Sequence, residues 1–181
     1  MGTNFTLFDT PIGACALVWG ERGLVGVALP EPSAAATRTR VQRRFDGSVE
    51  RAPPPALRPV IERILALLRG GADDLADIAL DMRGVPAFNQ RVYGIARAIR
   101  PGSTLTYGEL AAKLGEGPQA ARAVGQALGA NPFPIIVPCH RVLAAGSRAG
   151  GFSAPGGTRT KLALLEIEGA PLGGSAGLFD T

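Results

Sequence analysis

From Phe5 to Leu29 short apolar runs alternate with turn residues: FTLFDT, Pro11-Ile12-Gly13, ACALVW, Gly20-Glu21-Arg22-Gly23 and LVGVAL. Strand-length runs punctuated by Gly and Pro predict an antiparallel meander. Ser33 then stands where a helix cap is expected, ahead of AAATRTRVQRRF, and its hydroxyl can satisfy a free backbone N–H of the first turn. Arg38, Arg40, Arg43 and Arg44 of that helix read as a solvated face. Pro53-Pro54-Pro55 breaks the chain, after which Leu57, Val60, Ile61, Ile64, Leu65 and Leu68 recur at helical spacing until Gly70-Gly71. A short strand over IALDM, 78–82, would rejoin the sheet. Residues 1–84 thus predict a small α+β scaffold that shows no chemistry of its own.

After Arg83-Gly84-Val85-Pro86 the pattern turns from strand-forming to helical. Phe88, Val92, Ile95, Ala96 and Ile99 share one helical face, and Arg100-Pro101-Gly102 ends that helix. Thr106-Tyr107-Gly108-Glu109 has the form of a capping box, opening a helix that turns Leu110, Ala111 and Leu114 inward. A turn at Gly115-Glu116-Gly117-Pro118 leads into a second short helix, QAARAVGQALG, and the pair suggests a helix-turn-helix. Small side chains dominate this second helix. It fits either plain close packing with Arg122 on the surface, or close approach to a groove read by shape with Arg122 intruding into the duplex. Next comes Asn131 to Val142, NPFPIIVPCHRV, where three prolines bracket an apolar run, Ile135 to Val137, that predicts a buried strand. The fold class expected is therefore α+β, an N-terminal antiparallel-sheet unit followed by a mainly helical C-terminal domain over residues 85–170. Residues 171–181 are expected to form a flexible tail.

Composition narrows the setting. An apolar content of 46% with mean hydropathy +0.16 supplies a core for one or two small domains. No apolar stretch approaches membrane-spanning length and the N-terminus lacks the basic and apolar regions of a signal peptide, so the expected compartment is the cytosol and the nucleoid within it, without a membrane partner. Two cysteines are too few for a disulfide framework or a structural zinc site, and Cys15 reads as a small buried side chain. The net charge of +4 permits a polyanionic partner without requiring one.

The chemistry concentrates at Cys139 and the chain's single histidine, His140. A free thiol has a pKa near ~8.5, so a base must generate the thiolate at neutral pH. His140 could accept that proton directly or through a water. On an extended strand, however, neighbouring side chains point to opposite faces, so a bend near Pro138 is required. The imidazole would in turn want an acidic orienter, for which Glu166 and Glu168 in the last helix are both candidates.

PCHRV, preceded by RAVGQALGANPFPIIV and followed by GGFSAPGG and LLEIEG, resembles the O6-alkylguanine-DNA alkyltransferases, the methylated-DNA–protein-cysteine methyltransferases. The likeness is dense from Phe88 to Gly169 and looser through the first half. It implies that Cys139 irreversibly accepts the alkyl group of a flipped-out O6-alkylguanine in double-stranded DNA, with O4-alkylthymine a second candidate lesion, and that the protein acts once, as a monomer, without cofactor or metal. It also implies that His140 is the water-mediated base, that Glu168 and not Glu166 orients it, and that Asn131 tethers the turn before the active site. Tyr107 would rotate the nucleotide and protonate the base, while Arg122 would fill the hole left in the stack. Gln119, Ala120 and Ala123 would lie against DNA. Val142, through its carbonyl, and Ser153 would line the base pocket with Phe152, which stands where many members have tyrosine and so lacks that hydroxyl.

Three rivals remain distinguishable from sequence. Alkyltransferase-like proteins that flag lesions without transfer replace the acceptor cysteine, which is present here. A Cys-His hydrolase would need a separated pair and an oxyanion loop. A structural protein with an inert thiol would leave Tyr107, Arg122 and Glu168 in register by accident.

Overall fold

In the computed structural model, which describes residues 2–146 and 148–171, the predicted meander forms three antiparallel strands. They are β1 (Asn4–Thr10), β2 (Gly13–Gly20) and β3 (Gly23–Ala28), in the sheet order β3-β2-β1-β4. The two-residue β4 (Val49–Glu50) adds to the β1 edge in parallel. IALDM does not form the predicted strand. Only Leu80 touches the sheet, bridging Leu24 while Asp81 N–H donates to the Leu24 carbonyl at 2.7 Å. Turns at residues 76–77 and 83–84 flank this single bridge.

Ser33 caps α1 (Ala34–Arg44) as expected, its Oγ accepting from the Ala36 N–H at 3.1 Å. After the proline run a single 3-10 turn leads into α2 (Arg58–Leu68), whose Ile64, Leu67 and Leu68 pack under the sheet against Leu17, Leu24 and Val27. Cys15 on β2 is fully buried.

The second half is built from α3 (Ala87–Arg97), β5 (Leu105–Thr106), α4 (Tyr107–Lys113), α5 (Ala121–Gly129), β6 (Val142–Leu143) and α6 (Gly157–Ile167). The capping box is complete: Glu109 N–H donates to Thr106 Oγ1 at 3.1 Å and Thr106 N–H donates to Glu109 Oε2 at 2.6 Å. α5 begins later than the sequence pattern suggests, because Pro118–Ala120 is a 3-10 turn that places Gln119 and Ala120 ahead of the helix proper. α3, α4 and α5 enclose a second core of Val92, Tyr93, Leu110, Val124 and Phe133. The two cores are not sealed from each other, since Ile135, Ile136 and Leu164 of the second half pack into the first. The predicted tail lies outside the described residues from 172 onward.

Candidate active site

The site begins with a turn where a strand is expected. Within the apolar run, Val137 N–H donates to the Phe133 carbonyl at 2.8 Å, and Pro134 bridges Val137. Ile135 takes φ 76°, a left-handed conformation that costs a β-branched residue about 1–2 kcal/mol. Asn131 holds the turn closed from inside. Its Oδ1 accepts from the Phe133 N–H at 2.8 Å and its Nδ2 donates to the Val137 carbonyl at 2.9 Å.

That same carbonyl accepts the Cys139 N–H at 2.8 Å around Pro138, which sits at φ −80°, ψ 66°. This is an inverse γ-turn, and it is the bend the Cys-His pair requires. Cys139–Arg141 then forms one 3-10 turn, in which successive side chains diverge by about a third of a revolution instead of opposing each other. Cys139 can therefore face a cavity while His140 points into the interior.

His140 is 1% exposed, and its Nε2 lies 2.9 Å from Glu168 Oε1. Arg141, fully buried, grips the same carboxylate through Nε to Oε2 at 2.9 Å and Nη2 to Oε1 at 2.8 Å, and its Nη1 donates to the Ile99 carbonyl at 2.5 Å. Burial alone would raise the Glu168 pKa, but hydrogen bonds from His140 and Arg141 outweigh it and hold the carboxyl at about 2. Burial lowers His140 below the ordinary imidazole value despite the carboxylate. A neutral imidazole beside an ionised carboxylate carries its hydrogen on Nε2. Nδ1 is thus the free lone pair, and it is buried with no protein partner.

Burial pushes the Cys139 thiol up, with the Asn131 amide and the Lys161 charge pulling against it. Lys161 itself is fully buried, donates to the Val142 carbonyl at 2.6 Å and lies 5.6 Å from the Tyr107 ring and 5.9 Å from the Phe152 ring. Burial brings its pKa down to about 8, against the pull of Cys139. Sequence reasoning missed both Arg141 and Lys161. A buried cation has no sequence signature of its own, although PCHRV contains the arginine.

A cavity of about 800 Å³ joins these groups to solvent, and Cys139, Tyr107, Arg122, Phe152 and Ser153 all line it. The floor on the α5 side is made by Ala121, Gly125 and Gly129, small residues that let the backbone stand close to whatever enters. Burial raises the Tyr107 pKa, as does Cys139, so its hydroxyl, 3.5 Å from the Gly151 carbonyl, stays a proton donor. Ser153 Oγ donates to the Gly129 carbonyl at 3.3 Å. Arg122 is exposed at the cavity mouth, whereas Gln119 and Ala120 in the 3-10 turn before α5 and Ala123 in its first turn do not line the cavity. Val142 does not line the cavity: its side chain is buried in the second core and its carbonyl accepts from Lys161 at 2.6 Å, so the structure does not bring it to the predicted base pocket. The solvated-face reading of α1 holds, with Arg43 and Arg44 exposed and Arg38 and Arg40 part-exposed in ion pairs, but Arg40 and Arg44 also line this cavity.

A thiol on a cavity wall, next to a neutral histidine held by an ion-paired carboxylate, is an arrangement that can support cysteine-nucleophile chemistry. The model of the 6-O-methylguanine DNA methyltransferase DNA-binding domain matches residues 87–170. The methylated-DNA–protein-cysteine methyltransferase of Methanothermobacter thermautotrophicus is 35% identical over 164 residues, covering 91% of this chain and 84% of that protein. A DNA base-flipping protein of Thermus thermophilus is 37% identical over 161 residues, covering 89% of this chain and 97% of that one. The crystal structure of Mycobacterium tuberculosis OGT in complex with DNA superposes with TM-score 0.73 at 35% identity, covering 93% of this chain and 95% of that chain. The chain belongs to the methylated-DNA–protein-cysteine methyltransferase family. Among the described residues, no helix is long and apolar enough to cross a membrane.

Proposed function

We propose that this protein repairs DNA by moving the alkyl group of O6-alkylguanine, with O4-alkylthymine a second candidate lesion, onto Cys139. The observation that carries the reading is the His140 imidazole: Nε2 is fixed to Glu168, and Nδ1 is left as a buried acceptor one residue from the thiol. In the step proposed, His140 Nδ1 takes the thiol proton through a water. Sγ attacks the alkyl carbon in line with the C–O6 bond, a geometry that positioning alone makes far more probable. The S–C bond forms as the C–O bond breaks, and the electron pair returns to the base while Tyr107 supplies a proton. The proton lost by the thiol balances the one gained by guanine. The thioether has neither an acidic proton nor a good leaving group, so each chain acts once. The helix pair binds in the minor groove by shape and phosphate contact, and Arg122 occupies the space left by the extruded base.

The likeness to a base-flipping protein supports a second reading, lesion binding without transfer. Incubation with an O6-methylguanine duplex separates the two. The expected result is one methyl per chain, found on the Cys139 peptide and abolished in Cys139→Ala, which still binds DNA. Cys15 is the internal control, because burial pushes its thiol to about 11. Binding without transfer would favour the second reading. Methylation of Cys15, or turnover beyond one equivalent, would sink the assignment.

A further inference from the structure

On the repair reading, a base that reaches Cys139 enters through the 800 Å³ cavity that the thiol lines, which leaves its two phosphodiesters at the mouth. On the α5 wall the only cation is Arg122, which the reading above commits to the interior of the duplex. The opposite wall is α1. There Arg38 pairs with Glu50 at 2.6 Å and Arg40 with Glu31 at 3.1 Å, but among the described residues no carboxylate pairs with Arg44. Its contacts are the Asn131 carbonyl, 3.4 Å from Nη2, and the Phe45 ring, 5.9 Å away. Arg44 is exposed by area, yet the cleft strips enough hydration from its guanidinium to lower its pKa, and the like charge of Arg40 adds to the effect. An unpaired cation one turn from another is an electrostatic cost that a phosphate would relieve.

We propose that Arg44 binds a backbone phosphate of the strand carrying the extruded nucleotide, so that α1 and α5 form two walls of one DNA site. The inference rests on the repair reading and adds the first half of the chain to the DNA interface. A guanidinium suits the role because it presents several N–H donors in a fork, so it can keep the Asn131 carbonyl while engaging a phosphate.

Equilibrium binding of the full chain, in the transfer-dead Cys139→Ala background, to a duplex carrying O6-methylguanine, measured across salt concentrations, tests it. Each phosphate contact contributes about 0.9 to the slope of log K against log salt. Arg44→Gln should lower the slope by about that amount and slow duplex repair more than reaction with free O6-benzylguanine, and Arg44→Lys should restore the slope. An unchanged slope with equal slowing on duplex and free base would mean that Arg44 only braces Asn131, and would overturn the proposal. Wild-type protein gives an independent measurement by phenylglyoxal modification with and without duplex. Protection of both Arg122 and Arg44 is expected. Protection of Arg122 alone would reject the Arg44 contact and leave the repair reading standing, whereas protection of neither would reject both.

Discussion

Replacing Glu168 by glutamine exchanges one oxygen for an NH2 group, and the geometry leaves that group no acceptable place. Oε1 receives both His140 Nε2 and Arg141 Nη2, at 2.9 and 2.8 Å, while Oε2 receives Arg141 Nε at 2.9 Å. With the amide nitrogen at the Oε2 position, two donors face each other across the Arg141 contact. With the amide flipped, the NH2 meets His140, which must move its hydrogen to Nδ1 and so lose the acceptor the thiol needs. Either way Arg141, fully buried, keeps its charge without a counter-ion, a loss of about 3–5 kcal/mol. At about 2–4 °C per kcal/mol for a chain of this size, the melting temperature should fall by roughly 6–20 °C.

The rate should fall as well, by about 10²-fold or more at neutral pH, the scale of a lost general base. Because burial pushes the Cys139 thiol up, it ionises without help only at pH above the ordinary thiol range, and the deficit should narrow there and not below about 9. Stability supplies a second check on sign. Glu168 is held at about 2, below its ordinary 4.5, so the stability tied to its ionisation is full above 4.5 and lost as the pH falls toward 2. The stability gap between wild type and Glu168→Gln should close over that window. Single-turnover methyl transfer and thermal unfolding, each followed across pH, measure both effects. A rate for Glu168→Gln equal to wild type at neutral pH would refute the base assignment, and unchanged unfolding would refute the buried network.

Two further substitutions probe the supports of the thiol. Asn131→Ala strands the Phe133 N–H and removes one donor from the Val137 carbonyl, costing about 1–3 kcal/mol per unmet group; thermal unfolding should show the loss, and rapid thiol labelling should find Cys139 displaced. Lys161→Met should slow transfer at neutral pH while preserving DNA binding, because the thiolate loses a neighbouring positive charge. Since the folded Lys161 pKa is about 8 against an ordinary 10.5, the unfolded chain binds a proton between those values that the folded chain does not. Wild-type stability should therefore gain this contribution as pH rises through the window, and identical pH profiles for the two proteins would contradict it.

What was legible in the sequence was whatever local chemistry decides. The meander, the Ser33 cap and the Thr106–Glu109 box depend on residues within a few positions of each other, and all three appear as expected. The run Ile135–Val137 did not, because its shape is imposed from outside. By local preference a β-branched apolar triplet is a strand. Asn131 overrides that preference with two side-chain bonds, and the neighbouring prolines keep the chain from relaxing back. The resulting φ of 76° at Ile135 is strain held at the point where the thiol must be aimed. IALDM makes only one bridge, to Leu24, between turns at residues 76–77 and 83–84.

The charges were harder still. Arg141 and Lys161 are fully buried, contrary to what a charged residue suggests, and only their partners from distant segments explain it. Glu168 lies at the end of α6 and the Ile99 carbonyl just beyond α3, so the thiol's histidine is set by elements that meet only after both halves have packed. The same holds for α1. Periodicity assigns its arginines to solvent, where Arg43 and Arg44 do lie, but nothing local in TRTRVQRR says that Arg44 will also line the same cavity as Cys139. The proposed phosphate contact makes the first half serve the chemistry by closing the second wall of the cleft, and losing that contact in Arg44→Gln should weaken duplex repair while the thiol and its base remain intact.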